Sequence, residues 1–292
     1  MEVISSLIVE VCVDSIQSAV AAINGGANRL EICANLGSGG GTTPSIGLIR
    51  TIQRVLPEVP LMVMIRPRIG DFLYSQEELA VMLEDIRIIK ELGVRGFVVG
   101  ALTRAGAVDV EYMRSLVDAV LPSEVCFHRA FDMTHDPVAG SKASFMILLC
   151  LNNYRYNLAL RQIDEIGGIS RVLTSGHRPS VTEGLPVLKQ LFKTRKELIE
   201  DADWGLTIMP GSGVNSESLP NLLQNLLPRG LKEIHLSGGT WLPSQMSLRV
   251  NGMGMGDLDN EWSIWRTVEE EVRKVREIAD SHWAGYTASL KS

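Results

Sequence analysis

Side chains of a β-strand alternate between its faces, so residues two apart share one environment. In the segment Ile8–Asp14 this places Glu10, Cys12 and Asp14 together, and in Arg29–Asn35 it places Glu31, Cys33 and Asn35 together. Met62, Met64 and Arg66 share a phase in Leu61–Pro67, as do Cys126 and His128 in Glu124–Asp132. A carboxylate inside an otherwise apolar strand has to be paired or used, because burying it alone is costly. Glu10 and Glu31 are therefore acid/base candidates, His128 a proton shuttle, and Arg66 an anion clamp or the ion-pair partner of either carboxylate. If neighbouring strands align in register, Glu10 stands near Glu31 and Cys12 near Cys33. Two thiolates with thioethers close by suit Cu(I). Free cysteines also pack as small hydrophobes, and a Glu–Arg network can be purely structural. On the residues alone both alternatives stay open.

Glycine-rich turns add a second kind of chemistry. Met209–Val214 reads MPGSGV and His235–Gly239 reads HLSGG, each directly after an apolar run. Backbone N–H groups at Gly211, Ser212, Gly213, Ser237 and Gly238 would present a cradle for an anion such as a phosphate. Ser38–Pro44, SGGGTTP, is a similar stretch. Glycine also simply makes tight turns, so each loop is a weak signal by itself.

The elements that must position these residues alternate along the chain. Strands are expected at Ile8–Asp14, Arg29–Asn35, Leu61–Pro67, Gly96–Leu102, Glu124–Asp132, Ser170–Gly176, Gly205–Pro210 and Glu233–Ser237. Several are nearly continuous in apolar residues, as in parallel strands covered on both faces. Between them run amphipathic helices. One starts at a capping box, Ser75 to Glu78, and carries Leu79, Met82, Leu83, Ile86 and Ile89 on one stripe. Another, with Leu219, Leu222, Leu223 and Leu226, is capped by Asn215 or Ser216. Gly93, Gly167 and Gly168 fall where helices should end. Glu261–His282 reads as the last helix, with Val268, Val272, Val275 and Ile278 or Ala279 inward. Some eight βα units at even spacing predict an α/β fold, a (β/α)8 barrel of the TIM type, as one domain over residues 1–292. Active sites of such barrels lie at the C-terminal ends of the strands, where the carboxylates, thiols, Arg66 and His128 gather.

Bulk properties exclude several classes. A net charge of −6 with no Lys/Arg-rich run argues against a nucleic-acid footprint. Cys12, Cys33, Cys126 and Cys150 are widely spaced with no Cys-x-x-Cys pair, which favours a reducing compartment. The N-terminus has no basic, cleavable leader pattern, and Phe145–Leu151 is too short to span a bilayer. A cytoplasmic protein without a membrane partner is expected.

MIRPRIGDFLY at Met64–Tyr74 and FHRAFD at Phe127–Asp132 resemble the CutC family of copper-homeostasis proteins. VEVCVDS at Val9–Ser15, RLEICANL at Arg29–Leu36, GGTTPS at Gly40–Ser45, RVLTSG at Arg171–Gly176 and MPGSGV at Met209–Val214 extend the resemblance from the first strand to the eighth. The resemblance implies a barrel that forms homo-oligomers, in the cytoplasm and in some members the nucleus. It also implies that Cys12 and Cys33 match the positions proposed to bind Cu(I), with copper as the ligand. No catalysed reaction comes with it, so an enzyme acting on a small, phosphorylated or otherwise anionic substrate is the alternative. Ile69 stands where the family usually has glycine, and Gly211-Ser212-Gly213 where three glycines are common. The largest departure is an atypical block at 140–158, which interrupts the helix after strand five. Removing it restores DPVAALRQIDEIGG with a sensible apolar stripe. Its ends also fit splice junctions, as expected of a translated intron or a recent insertion.

Overall fold

The computed structural model describes residues 6–38, 40–134, 158–199, 205–250, 252–254, 256 and 260–290. Eight short strands form one parallel sheet: β1 (Ile8–Val13), β2 (Arg29–Ile32), β3 (Leu61–Met64), β4 (Gly96–Val99), β5 (Glu124–Phe127), β6 (Arg171–Thr174), β7 (Thr207–Pro210) and β8 (Glu233–Leu236). They pair in the order β7-β6-β5-β4-β3-β2-β1-β8. The two ends of that series, β7 and β8, lie against each other, so the sheet curls into a nearly closed barrel. This is the (β/α)8 fold that the alternating pattern predicts, and all eight expected strands are present.

Helices wrap the outside: α1 (Ile16–Asn24), α2 (Ile46–Val55), α3 (Gln76–Lys90), α4 (Val110–Val120), α5 (158–166), α6 (Val181–Ile199), α7 (Leu219–Leu226) and α8 (Glu269–Ser289). The residues sort by strand parity into two cores. Val9, Val11 and Val13 point outward with Leu30, Ile32, Val63 and Phe97 into the layer between sheet and helices, all fully buried. Each such side chain contributes roughly 1.5–3 kcal/mol by leaving water. The opposite parity fills the barrel with a separate cluster that includes Cys12, Cys33, Met62, Met64, Cys126 and Met209.

Local signals set the helix boundaries where they are strong. The Ser75 hydroxyl accepts from the Glu78 amide while the Glu78 carboxylate accepts from the Ser75 amide, closing the expected capping box of α3. Gly167 and Gly168 follow α5 with φ of 72° each, a left-handed conformation that favours glycine. A Cβ at Gly168 would also meet Val117 at 2.7 Å.

Two expectations need correction. The cap of α7 is neither Asn215 nor Ser216, since the helix starts at Leu219 after Ser218. Asn215 instead accepts from the amides of Glu217 and Ser218 and orders the turn before the helix. The final helix does not begin at Glu261. Ile264–Thr267 forms strand β10, which pairs antiparallel with β9 (Gly239–Leu242). The β-branched and aromatic residues there find a ladder partner more than twenty residues away, and helical periodicity does not reveal such a partner. Val268 becomes the residue before α8, whose buried face is Val272, Val275 and Ala279. The 140–158 block, apart from Leu158, lies outside the described residues. Among them no helix is long and apolar enough to cross a membrane.

Candidate functional site at the barrel mouth

The inward-facing parity carries an unusual load of charge. Arg29 forms ion pairs with Glu10 and, at 2.5 Å, with Glu233. Arg171 reaches Glu233 at 2.8 Å and Glu124 at 2.5 Å, and Arg95 closes the chain on Glu124. The signs alternate along this series of pairs, which lies at the N-terminal end of the barrel. Burial opposes the charge on Arg29, but Glu10 and Glu233 outweigh it and hold the guanidinium above its ordinary pKa. Removing one member of such a buried set leaves its neighbours uncompensated, at a cost of about 3–5 kcal/mol.

Above this floor lies the reactive layer. His235 Nδ1 is 2.8 Å from Glu10 Oε1, and its Nε2 is 3.6 Å from Glu31 Oε2. Cys12, Glu31 and His235 each offer a ligand atom within 4.8 Å of the others, and all three are buried. Burial disfavours charge on His235, yet Cys12, Glu10 and Glu31 together raise its pKa well above the ordinary value. Burial would raise Glu10, but Arg29 and His235 hold it well below the usual carboxylate range. Glu31 faces the other outcome: burial, reinforced by the charge of Glu10, pushes it up to about 7 against the pull of His235. Burial also raises the thiols of Cys12 and Cys33, the latter further by the Glu31 charge.

The layer opens upward into a cavity of about 490 Å3. Of the residues expected at the site, it brings together Cys12, Glu31, Arg66, His128, Ser212, Gly213, Ser237 and Gly238. Glu10 lies behind the lining, in its ion pairs. Gly211 packs below, where a Cβ would meet Leu173 at 2.5 Å. Cys33 is fully buried, its Sγ about where a side chain on Gly41 would have to go. His128 is held neutral, its pKa lowered to about 3 by burial and then by Arg66.

The same features recur in known proteins. The model of the CutC family matches residues 7–147 and 149–240, breaking once within the 140–158 block. The chain belongs to the CutC family. The human copper homeostasis protein cutC homolog is 41% identical over 94% of this chain and 90% of its own length. A CutC family protein of Pasteurella multocida is 37% identical over 94% and 99%. The crystal structure of a CutC protein from Streptococcus agalactiae superposes with a TM-score of 0.62 at 30% identity, over 79% of this chain and 98% of that one.

In this CutC chain the strand register differs from simple alignment. Glu10 faces Arg29, and Cys12 faces Glu31. The offset of two residues separates Glu10 from Glu31 by one layer and Cys12 from Cys33 by another. It also overturns the pairing of either carboxylate with Arg66. That guanidinium donates to the carbonyls of Gly41 and Gly70, each at 2.9 Å, and stacks 5.0 Å from the Phe72 ring. It stands four residues along β3 from Met62, the partner of Glu31, so it belongs to the mouth. Sequence reasoning missed Arg29, Arg171, Glu233 and His235 as interior groups. The signal was parity: Arg29 shares the phase of Glu31 and Cys33, and Glu233 that of His235 and Ser237.

Proposed function

We propose that this CutC member binds Cu(I) at the barrel mouth, with Cys12 as the anchoring thiolate, Cys33 as the second thiolate and the imidazole of His235 beside them. Copper is here the cargo. The observation that carries the reading is the convergence of Cys12 with His235 and Glu31 within 4.8 Å at the floor of an open cavity. Sulfur and imidazole nitrogen are soft or borderline donors that suit Cu(I) better than Mg2+ or Ca2+. The thioethers of Met62, Met64 and Met209 belong to the same interior cluster and keep its surroundings soft. The names of the human and mouse relatives place them in copper homeostasis. Competition against a chromogenic Cu(I) chelator tests the proposal. Cys12→Ser should weaken Cu(I) binding at least tenfold, on the order of 1.4 kcal/mol or more, with Cys33→Ser also weakening it and circular dichroism unchanged. Undiminished affinity in the double variant would show that both thiols are core packing.

A second reading, an acid/base enzyme for a small anionic or phosphorylated substrate, draws support from Glu31. A carboxyl facing a cavity with a pKa of about 7 can both take and give a proton near neutrality. In that reading Glu10 positions His235, Arg66 holds the anion and neutral His128 donates a hydrogen bond. The Ser212-Gly213 and Ser237-Gly238 turns line the rim. Assembly into homo-oligomers and a cytoplasmic or nuclear location belong with the family and are proposed with it.

A further inference from the structure

The imidazole of His235 is held from behind. Its Nδ1 lies 2.8 Å from Oε1 of Glu10, and the other oxygen of Glu10 is fixed by Arg29. One ring nitrogen is thereby engaged, and Nε2 is left facing Oε2 of Glu31 at 3.6 Å. A carboxylate on the far nitrogen is the usual arrangement of metal-binding histidines, because it fixes both the ring and its tautomer.

Glu31 supplies a second ligand. It is 2% exposed, and its Oε1 has no hydrogen-bond partner among the described residues. A carboxylate in such a place is costly unless something pairs with it. Two ligands about 2.1 Å from a tetrahedral ion stand about 3.4 Å apart, close to the separation of Nε2 and Oε2. The Cys12 thiol completes the set: one atom each of Cys12, Glu31 and His235 lies within 4.8 Å of the other two. Cys33 is not among the three.

Charge then selects the ion. Below this layer Glu10, Glu233 and Glu124 are matched by Arg29, Arg171 and Arg95, so the floor adds no net charge. Cys12 as thiolate and Glu31 as carboxylate bring two negative charges to a buried place. A divalent cation leaves them neutral, whereas Cu(I) on the same three ligands leaves one charge uncompensated.

We propose that Cys12, Glu31 and His235 form a Zn2+ site. Thiolate, imidazole and carboxylate are ordinary zinc ligands, while Mg2+ and Ca2+ take oxygen sets. Three protein ligands with one position left is the pattern of zinc sites that act on small molecules, and structural sites use four. All three residues line the 490 Å3 cavity, from which the remaining position is reached. This goes beyond Cu(I) binding: it rests on the copper reading only for the location, and Glu31 takes the place of Cys33 in the ligand set.

Metal titration of the full chain, stripped of metal and kept anaerobic, tests the site. Competition against a chromogenic Zn2+ chelator should show one Zn2+ taken up per chain. Glu31→Gln should weaken Zn2+ by about tenfold or more and Cu(I) by less, while Cys33→Ser should weaken Cu(I) more than Zn2+. Co2+ in place of Zn2+ should give visible bands of tetrahedral intensity and a near-ultraviolet thiolate charge-transfer band. That band should vanish in Cys12→Ser, and the wild-type spectrum tests the site even if Glu31→Gln fails to fold. The proposal is overturned if the chain takes up no Zn2+, if Co2+ gives no thiolate band, or if folded Glu31→Gln keeps its Zn2+ affinity or loses both metals equally. Zn2+ uptake without Cu(I) uptake removes the copper reading and keeps this one, and Cu(I) uptake without Zn2+ does the reverse.

Discussion

His128 shows how one residue's surroundings decide its chemistry. Its imidazole is 3% exposed, packed 4.7 Å from the Phe72 ring and close to Arg66, so the charged form is penalised twice. Folding lowers its pKa from 6.5 to about 3. Below pH 6.5 the unfolded chain therefore binds a proton that the native state refuses, and the His128 contribution to stability is lost as pH falls from 6.5 toward 3. The loss approaches 1.4 kcal/mol per pH unit, or about 2 kcal/mol between pH 6.5 and 5. Glu31 works in the opposite sense, since its folded pKa is raised to about 7 and the native state gains protons first as pH falls. A comparison of wild type with His128→Asn isolates the histidine, because Glu31 is common to both. The stability difference from urea denaturation should shift by about 2 kcal/mol in favour of the variant between pH 6.5 and 5. A difference independent of pH would mean that His128 is not held neutral.

At the level of elements, short strands are pinned by the helices that return the chain to them. The Ser75–Glu78 capping box starts α3 two residues after the loop whose carbonyls Arg68 gathers, and Glu78 also pairs with that arginine at 2.5 Å. One cap thus serves both the helix and the loop over the mouth. Ser75→Ala should cost about 1 kcal/mol, lowering Tm by about 2–4 °C in a chain of this size, while Cu(I) affinity stays within twofold. A loss of copper affinity with an unchanged Tm would show that the loop, and not the helix, depends on Ser75. The β9–β10 hairpin has a different role. Trp241 and Trp265 meet edge to face at 5.5 Å, and this contact holds Trp265 against the cavity.

Across the whole molecule, two cores with different contents divide the work. The outer layer is aliphatic and aromatic and makes the barrel stable, while the inner one holds thiols, thioethers and ion pairs. The inner set is a poor source of stability, because a buried ion pair gains little over well-packed apolar groups. Its retention is understandable if those charges set the state of Glu31, His235 and Cys12 above them. In the sequence, joining the flanks of residues 140–158 restores one amphipathic helix. Deleting residues 140–158 should leave the Tm equal to or above that of the full chain and leave Cu(I) binding unchanged. An unfolded deletion variant, together with transcripts that all keep the segment, would make the block part of the working fold.

The sequence by itself determined the fold class, all eight strands and the phase of the candidate residues. Those follow from local periodicity: parity two in strands, 3.6 in helices, with glycine and capping residues between them. It also placed Cys12, Glu31, Arg66 and His128 at one end of the barrel, because parallel strands all present their C-terminal ends to the same side. Which of these touch was beyond it. The two-residue stagger between β1 and β2 makes Arg29 the partner of Glu10 and puts Glu31 opposite Cys12. Stagger is a property of how a sheet closes into a barrel, set by strand tilt around the whole ring and by no single strand. His235 entered the site for the same reason, since β8 reaches β1 only on closure. The β9–β10 pairing and the charged neighbours that divide His128, beside Arg66, from His235, beside Glu10 and Glu31, likewise come from residues far apart in the chain, and only the tertiary structure brings them together.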